Sequence, residues 1–206
     1  MLLPFLTGLF STIIIASNFM AIKLIDVAWF TLPAAVICYP FGFVCGDIIT
    51  ELFGFKTTRK VVLSTFAFNA IVVGFLSLAA ILPPSRNFSD NEAFKDIFLS
   101  APTILAASFA AFAVSGILNA FVFDALKNTG KYPILARSSV STLLGVAVDS
   151  VIFIGVAFAR ILPLRILLMT MLGQIIAKIV VGICVGTPLT WCVLKALGER
   201  KPVSNA

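Results

Sequence analysis

Two carboxylates stand four residues apart in 39-YPFGFVCGDIITELFG-54, a stretch that otherwise reads as membrane interior. Asp47, Thr50 and Glu51 follow i, i+3, i+4 spacing, so on a helix they share one face. Like charges at that spacing repel, and an ionisable group in hydrocarbon costs roughly 2.5–3.5 kcal/mol on insertion scales. Near a helix end, such a pair can reach the interface or meet Arg59 and Lys60. Aspartate, however, is too short to snorkel far. A site that must accept hydrogen bonds or hold a cation accounts for both costs.

Two further ionisable groups lie deep in apolar runs. Asp149 sits in 144-LGVAVDSVIFIG-155 and Lys178 in 171-MLGQIIAKIVVG-182. Both are about a dozen positions from the short turn joining their helices, so their depths match and a buried Asp149–Lys178 ion pair is expected. Pairs of this kind also flank transport paths. Gln174 is one turn from Lys178 on the same face, and Asn18, Ser115 and Asn119 add in-span polar groups, the last two on one face. Acids, amides and one lysine suit a flat, hydrogen-bonding solute. A carboxylate accepts two parallel N–H bonds and an amide both donates and accepts, which a guanine-like edge would match.

The elements that must position these residues are membrane helices. Of the 206 residues 60% are hydrophobic and 12% charged, against roughly a quarter charged in soluble domains. A hydrocarbon core of about 30 Å needs about 20 apolar residues. Helices are expected near 3–25, 31–54, 60–82, 101–126, 138–161 and 165–195, the last tilted or broken near Gly182, Gly186 and Pro188. This is an all-α, polytopic integral membrane protein with one transmembrane domain over 1–206. In the polar loop 83–102, the stretch from Asp90 to Leu99 reads as a short interfacial helix.

Basic residues follow alternate spans: Lys56, Arg59 and Lys60; Lys127, Lys131 and Arg137; Lys195, Arg200 and Lys201. The positive-inside rule then places both termini in the cytoplasm and the long loop outside, with Arg160 and Arg165 as exceptions. Two three-helix halves then run in opposite senses, as in inverted-repeat transporters, although SNFMA and SGILN match too weakly to define a repeat.

The same clustering reads the net charge of +6 as topology rather than as a nucleic-acid surface. Cys38, Cys45, Cys184 and Cys192 form no CxxC pair and read as buried hydrophobes. The absence of histidine removes Ser-His-Asp chemistry and the usual zinc ligand sets, and no cofactor is implied. The first 19 residues lack a basic n-region and read as a retained helix.

Four stretches resemble the queuosine-precursor transporter family, formerly grouped as vitamin-uptake transporters. They are SNFMAIKLID (17–26) with TLPAAVICYPFGFVCGDIITELFGFKTTRK (31–60), FDALKNTGKYPILARSSVST (123–142), VDSVIFIGVAF (148–158) and GQIIAKIVVGICVGTPLT (173–190). The resemblance implies a six-helix inner-membrane importer of 7-cyano-7-deazaguanine and 7-aminomethyl-7-deazaguanine. It carries substrate-binding roles onto Asn18, Asp47, Glu51, Asp149, Gln174 and Lys178, with Asn119 standing where many relatives have Gln. Tyr39 or Phe43 would stack on the ring, and Asp47 or Glu51 would accept from its N–H edge.

The implied partners are a deazapurine and the bilayer, with room for a homodimer. The alternative is a substrate-capture subunit of a multi-component, ATP-driven vitamin or purine importer. An enzyme holding Mg2+ on Asp47, Glu51 and Asp149 is disfavoured, since no phosphate-cradling glycine loop accompanies them. A purely structural membrane protein is disfavoured by the mid-span charges.

Overall fold

The computed structural model describes residues 2–27, 30–99, 102–159 and 163–197. Among the described residues seven α-helices run in chain order: α1 (Leu2–Met20), α2 (Tyr39–Ile81), α3 (Asn91–Leu99), α4 (Pro102–Asn128), α5 (Ile134–Phe158), α6 (Leu164–Val181) and α7 (Thr187–Ala196). Proline punctuates their starts. Pro40 and Pro188 occupy the first turns of α2 and α7, and Pro133 and Pro163 cap α5 and α6. Proline is tolerated there because the first-turn N–H groups have no intrahelical partner. Among the described residues, five elements are long and apolar enough to cross a membrane: 2–20, 39–81, 106–128, 134–158 and 164–196.

The interval between α1 and α2 departs from the expected helices. α1 ends at Met20, not near 25, and α2 begins at Tyr39, not near 31. Between them β1 (Leu24–Val27) pairs antiparallel with β2 (Phe30–Pro33), with Leu24 opposite Pro33 and Val27 opposite Phe30. A 3-10 turn, Ala34–Ile37, follows. Short apolar runs read alike as helix or strand, and here β-branched Ile25, Val27 and Thr31 favour the pleated form.

The two helices expected at 31–54 and 60–82 join as the 43-residue α2, interrupted at Gly54 with φ 78° and ψ 165°. The Thr50 and Thr58 hydroxyls are hydrogen-bonded at 3.0 Å. Eight residues of straight helix would separate them by about 12 Å along the axis. The chain therefore folds back at Gly54 into two limbs, 39–53 and 55–81. Only glycine enters that backbone region without a Cβ clash. Past α6 the expected break is a π turn over Gly182–Gly186, where Thr187 Oγ1 reaches back to the Gly182 carbonyl at 3.5 Å.

The core lies where the first limb of α2 meets α1, α4, α5 and α7, and includes Phe10, Ile14, Tyr39, Phe43, Ile49, Val62, Phe112 and Val146. Gly145 lets α5 close on the first limb: a Cβ there would stand 3.0 Å from Phe43 and 3.2 Å from Asn119. Small residues also seat α4 on α5. Ala107 and Ala111 are buried against Phe153, Ile154 and Ala157, whereas Ala106 and Ala110 are exposed.

Gly54→Ala forces a Cβ into a region that costs about 1–3 kcal/mol. We expect a lower thermal midpoint in detergent micelles. Gly8→Ala, at a helical position where an added Cβ meets nothing within 4 Å, should leave the midpoint unchanged or slightly raised.

Candidate functional site

Asp149, midway along α5, and Lys178, near the end of α6, meet with Nζ donating to Oδ2 at 2.6 Å. Both side chains are less than a tenth exposed. The Ser115 hydroxyl of α4 donates to Asp149 Oδ1 at 3.4 Å. The Lys178 ammonium also lies 4.1 Å from the centroid of the Tyr39 ring, a cation–π contact from the start of α2. One pair thus ties α5 to α6 and reaches both α4 and α2.

The pair lines a cleft holding about 500 Å3 of empty space, its open mouth included. α1 contributes Ser17 and Asn18, α4 contributes Ser108 and Phe112, and Phe153 and Gln174 come from α5 and α6. Pro33, Ala35 and Val36 border it from the hairpin and the 3-10 turn. Its polar groups are incompletely used. Asn18 Oδ1 accepts from Ser108 Oγ at 2.5 Å, but Asn18 Nδ2 makes no hydrogen bond within the protein. Gln174 is 2% exposed, and neither its Nε2 nor its Oε1 has a partner. The Tyr39 hydroxyl has Asp149 and Ser115 as electrostatic neighbours but forms no hydrogen bond of good geometry. Buried polar atoms are nearly always satisfied, because each orphan costs about 1–3 kcal/mol.

Asp47 and Glu51 form a separate cluster. Asp47 is wholly buried and both its oxygens are occupied: Asn119 Nδ2 of α4 donates to Oδ1 at 2.9 Å, and Ser138 Oγ of α5 to Oδ2 at 2.5 Å. Glu51 takes a two-pronged contact from Arg137 of α5, at 2.8 and 3.4 Å. Lys127, in the last turn of α4, lies 3.7 Å from its carboxylate and bonds its backbone carbonyl. The Arg137 guanidinium stands 5.2 Å from the Phe123 ring centroid. Twelve residues separate Tyr39 from Glu51, about 18 Å of helix, so this cluster sits far along the first limb from the cleft.

Of the residues singled out by sequence, the structure brings Asn18, Tyr39, Asp149, Gln174 and Lys178 together around one cleft. Asp47, Glu51, Asn119 and Phe43 do not line it. Phe43 packs edge-on to Tyr39 at 5.0 Å, against Gly145. Glu51 pairs with Arg137 and Lys127, not with Arg59 or Lys60. Arg137, expected in a loop, lies in the first turn of α5 and is buried. Arg160 and the tail residues Glu199, Arg200 and Lys201 lie outside the described residues. Sequence reasoning missed Ser108, Phe112, Ser138 and Phe153 as neighbours of these groups. For Ser138 the signal was its place in 136-ARSSVST-142, beside the charge that Glu51 needs. Serine and phenylalanine elsewhere in these helices stand out by neither type nor spacing.

The helices and the cleft define the class first: a polytopic α-helical membrane protein with a buried polar pocket between its helices. The family described as "Putative vitamin uptake transporter" matches residues 33–193, and the chain belongs to that family. Three relatives are similar to it. A Haemophilus influenzae protein named "Probable queuosine precursor transporter" is 28% identical over 120 residues, 58% of this chain and 49% of the relative. A Bacillus subtilis protein of the same name is 23% identical over 173 residues, 82% of this chain and 75% of the relative. The Escherichia coli "Queuosine precursor transporter" is 24% identical over 148 residues, 72% and 65%. The matches thus span between half and three quarters of these relatives' length. No solved structure matches.

Removing one partner of a buried pair is costly, about 3–5 kcal/mol where both charges are enclosed. Arg137→Met should therefore lower the melting temperature well beyond Lys127→Met, whose side chain is 20% exposed and whose ammonium is more distant from the carboxylate. Thermal unfolding of the two variants in the same detergent checks the order.

Proposed function

We propose that this chain is an inner-membrane importer of 7-deazaguanine precursors of queuosine, 7-cyano-7-deazaguanine and 7-aminomethyl-7-deazaguanine. Six crossings with both termini cytoplasmic suit it, counting α2 as two limbs that turn back at Gly54. The observation that carries the reading is the Gln174 carboxamide, buried in the cleft with donor and acceptor both unpartnered. A carboxamide pairs with a lactam through two antiparallel bonds: its N–H donates to the ring carbonyl and its oxygen accepts from the adjacent ring N–H. The free Asn18 Nδ2 supplies a further donor to a carbonyl or ring nitrogen. The Asp149 oxygen opposite Ser115, held by one long bond, is placed to accept from an exocyclic amine.

Phe112 and Phe153 flank the cleft as apolar walls for a flat ring. Tyr39 serves differently, because one face of its ring already holds Lys178. Asp47, Glu51 and Asn119 act at a distance in this reading. They hold the first limb of α2 against α4 and α5. The names of the three relatives agree with this substrate class.

The test is queuosine in tRNA of cells that cannot make its precursors, supplied with either compound at nanomolar level. Wild type should restore it. Gln174→Ala forfeits two hydrogen bonds, each of about 1–1.5 kcal/mol, and should weaken purified-protein affinity roughly 30- to 150-fold and abolish rescue at that supply. Rescue by Gln174→Ala at wild-type membrane levels would remove Gln174 from the site. Binding by purified wild type without transport in liposomes would favour a capture subunit.

A further inference from the structure

The charges that line the cleft cancel. Among the described lining residues the charged ones are Asp149 and Lys178, and their 2.6 Å contact makes them a dipole with no net charge. Asp47 and Glu51 belong to the separate cluster along the first limb of α2. Their oxygens are taken by Asn119, Ser138, Arg137 and Lys127, and neither residue lines the cleft. The ring face of Tyr39 that could attract a cation already carries the Lys178 ammonium.

A solute with an ammonium arm would have to shed its hydration there. It would find no uncompensated carboxylate to offset that loss and would meet a like charge on Lys178. A neutral solute of the same shape meets neither cost.

We propose that Lys178 is a specificity-determining residue: by occupying Asp149 it matches the cleft to neutral lactam-bearing heterocycles and sets it against those carrying an ammonium. The assignment rests on the proposed function and narrows it to one of the two precursors. The nitrile compound is neutral, whereas the aminomethyl compound is cationic at neutral pH. Lys178 remains a structural partner as well, since Asp149 would otherwise be a lone buried charge.

Equilibrium binding of both compounds to the purified full-length chain tests it. Wild type should bind the nitrile at least tenfold more tightly. Lys178→Met leaves the Asp149 carboxylate without its cation, so the ratio should fall toward unity or invert in favour of the ammonium compound. The double variant Lys178→Met/Asp149→Asn, neutral again, should recover the preference for the nitrile. Equal affinities in wild type, or a ratio that Lys178→Met leaves unchanged, overturn the assignment and leave the transporter reading standing. Binding of neither compound overturns that reading, and the assignment with it. If Lys178→Met does not fold, the wild-type ratio alone decides.

Discussion

A charge buried in hydrocarbon must be compensated, and this requirement organises the interior of the molecule. Compensation from within one helix is ruled out for Asp47 and Glu51, because each is the like-charged neighbour of the other one turn away. Their partners therefore come from α4 and α5: Asn119 and Ser138 for Asp47, Arg137 and Lys127 for Glu51. Asp149 and Lys178 do the same for α5 and α6. Such pairs contribute little net stability, since desolvation consumes most of the attraction. Their effect is on arrangement: a helix slipped by one residue would leave a carboxylate without its hydrogen-bond or ion-pair partner.

Among the described residues, single buried polar atoms on Asn69, Asn119, Arg137 and Ser150 also lack a partner, but the cleft gathers four such atoms on Asn18, Tyr39 and Gln174. Gln174 and Asn18 are buried, at 2% and 5% exposed, yet they keep unused donors and an unused acceptor. Around them the walls are aromatic and aliphatic. A pocket with a few convergent polar groups in an apolar lining is the usual form of a small-molecule site. The Asp149–Lys178 pair stands between the two regimes, because it is compensated like the structural pairs and exposed to the cleft like the amides.

Several backbone irregularities among the described residues lie beside these sites or within the packed helices. The fold-back at Gly54 returns the second limb of α2 beside the first, where the Thr50–Thr58 hydroxyl bond at 3.0 Å joins the two limbs and the Ser11–Thr65 bond at 2.8 Å ties the second limb to α1. The hairpin and 3-10 turn between α1 and α2 bring Pro33, Ala35 and Val36 to the border of the cleft. In a bilayer, non-helical backbone is tolerated where it is enclosed by protein or lines a cavity. The π turn at Gly182–Gly186 lies just beyond Lys178 and is such a feature too.

By itself the sequence determined the solvent and much of the chemistry. Apolar runs of the length of a bilayer required membrane helices, and proline and glycine marked most of their ends. The cost of intramembrane polar groups singled out Asp149, Lys178, Gln174 and Asn18. Counting back from the short turn foretold the Asp149–Lys178 pair, although the observed helices make the two depths unequal, with α5 ending at Phe158 and α6 starting at Leu164.

Tertiary structure alone decided which carboxylates face the cleft. Asp47 and Glu51 carry the same chemical signal as Asp149, and only the approach of Ser138, Asn119 and Arg137 from other helices turns them into structural pairs. It also decided that 24–27 and 30–33 pair as strands, since segments of four residues have no period long enough to separate strand from helix. The free ends of Gln174 were likewise invisible in one dimension. An amide's partners lie across helix interfaces, and whether they are present depends on packing that local spacing does not encode.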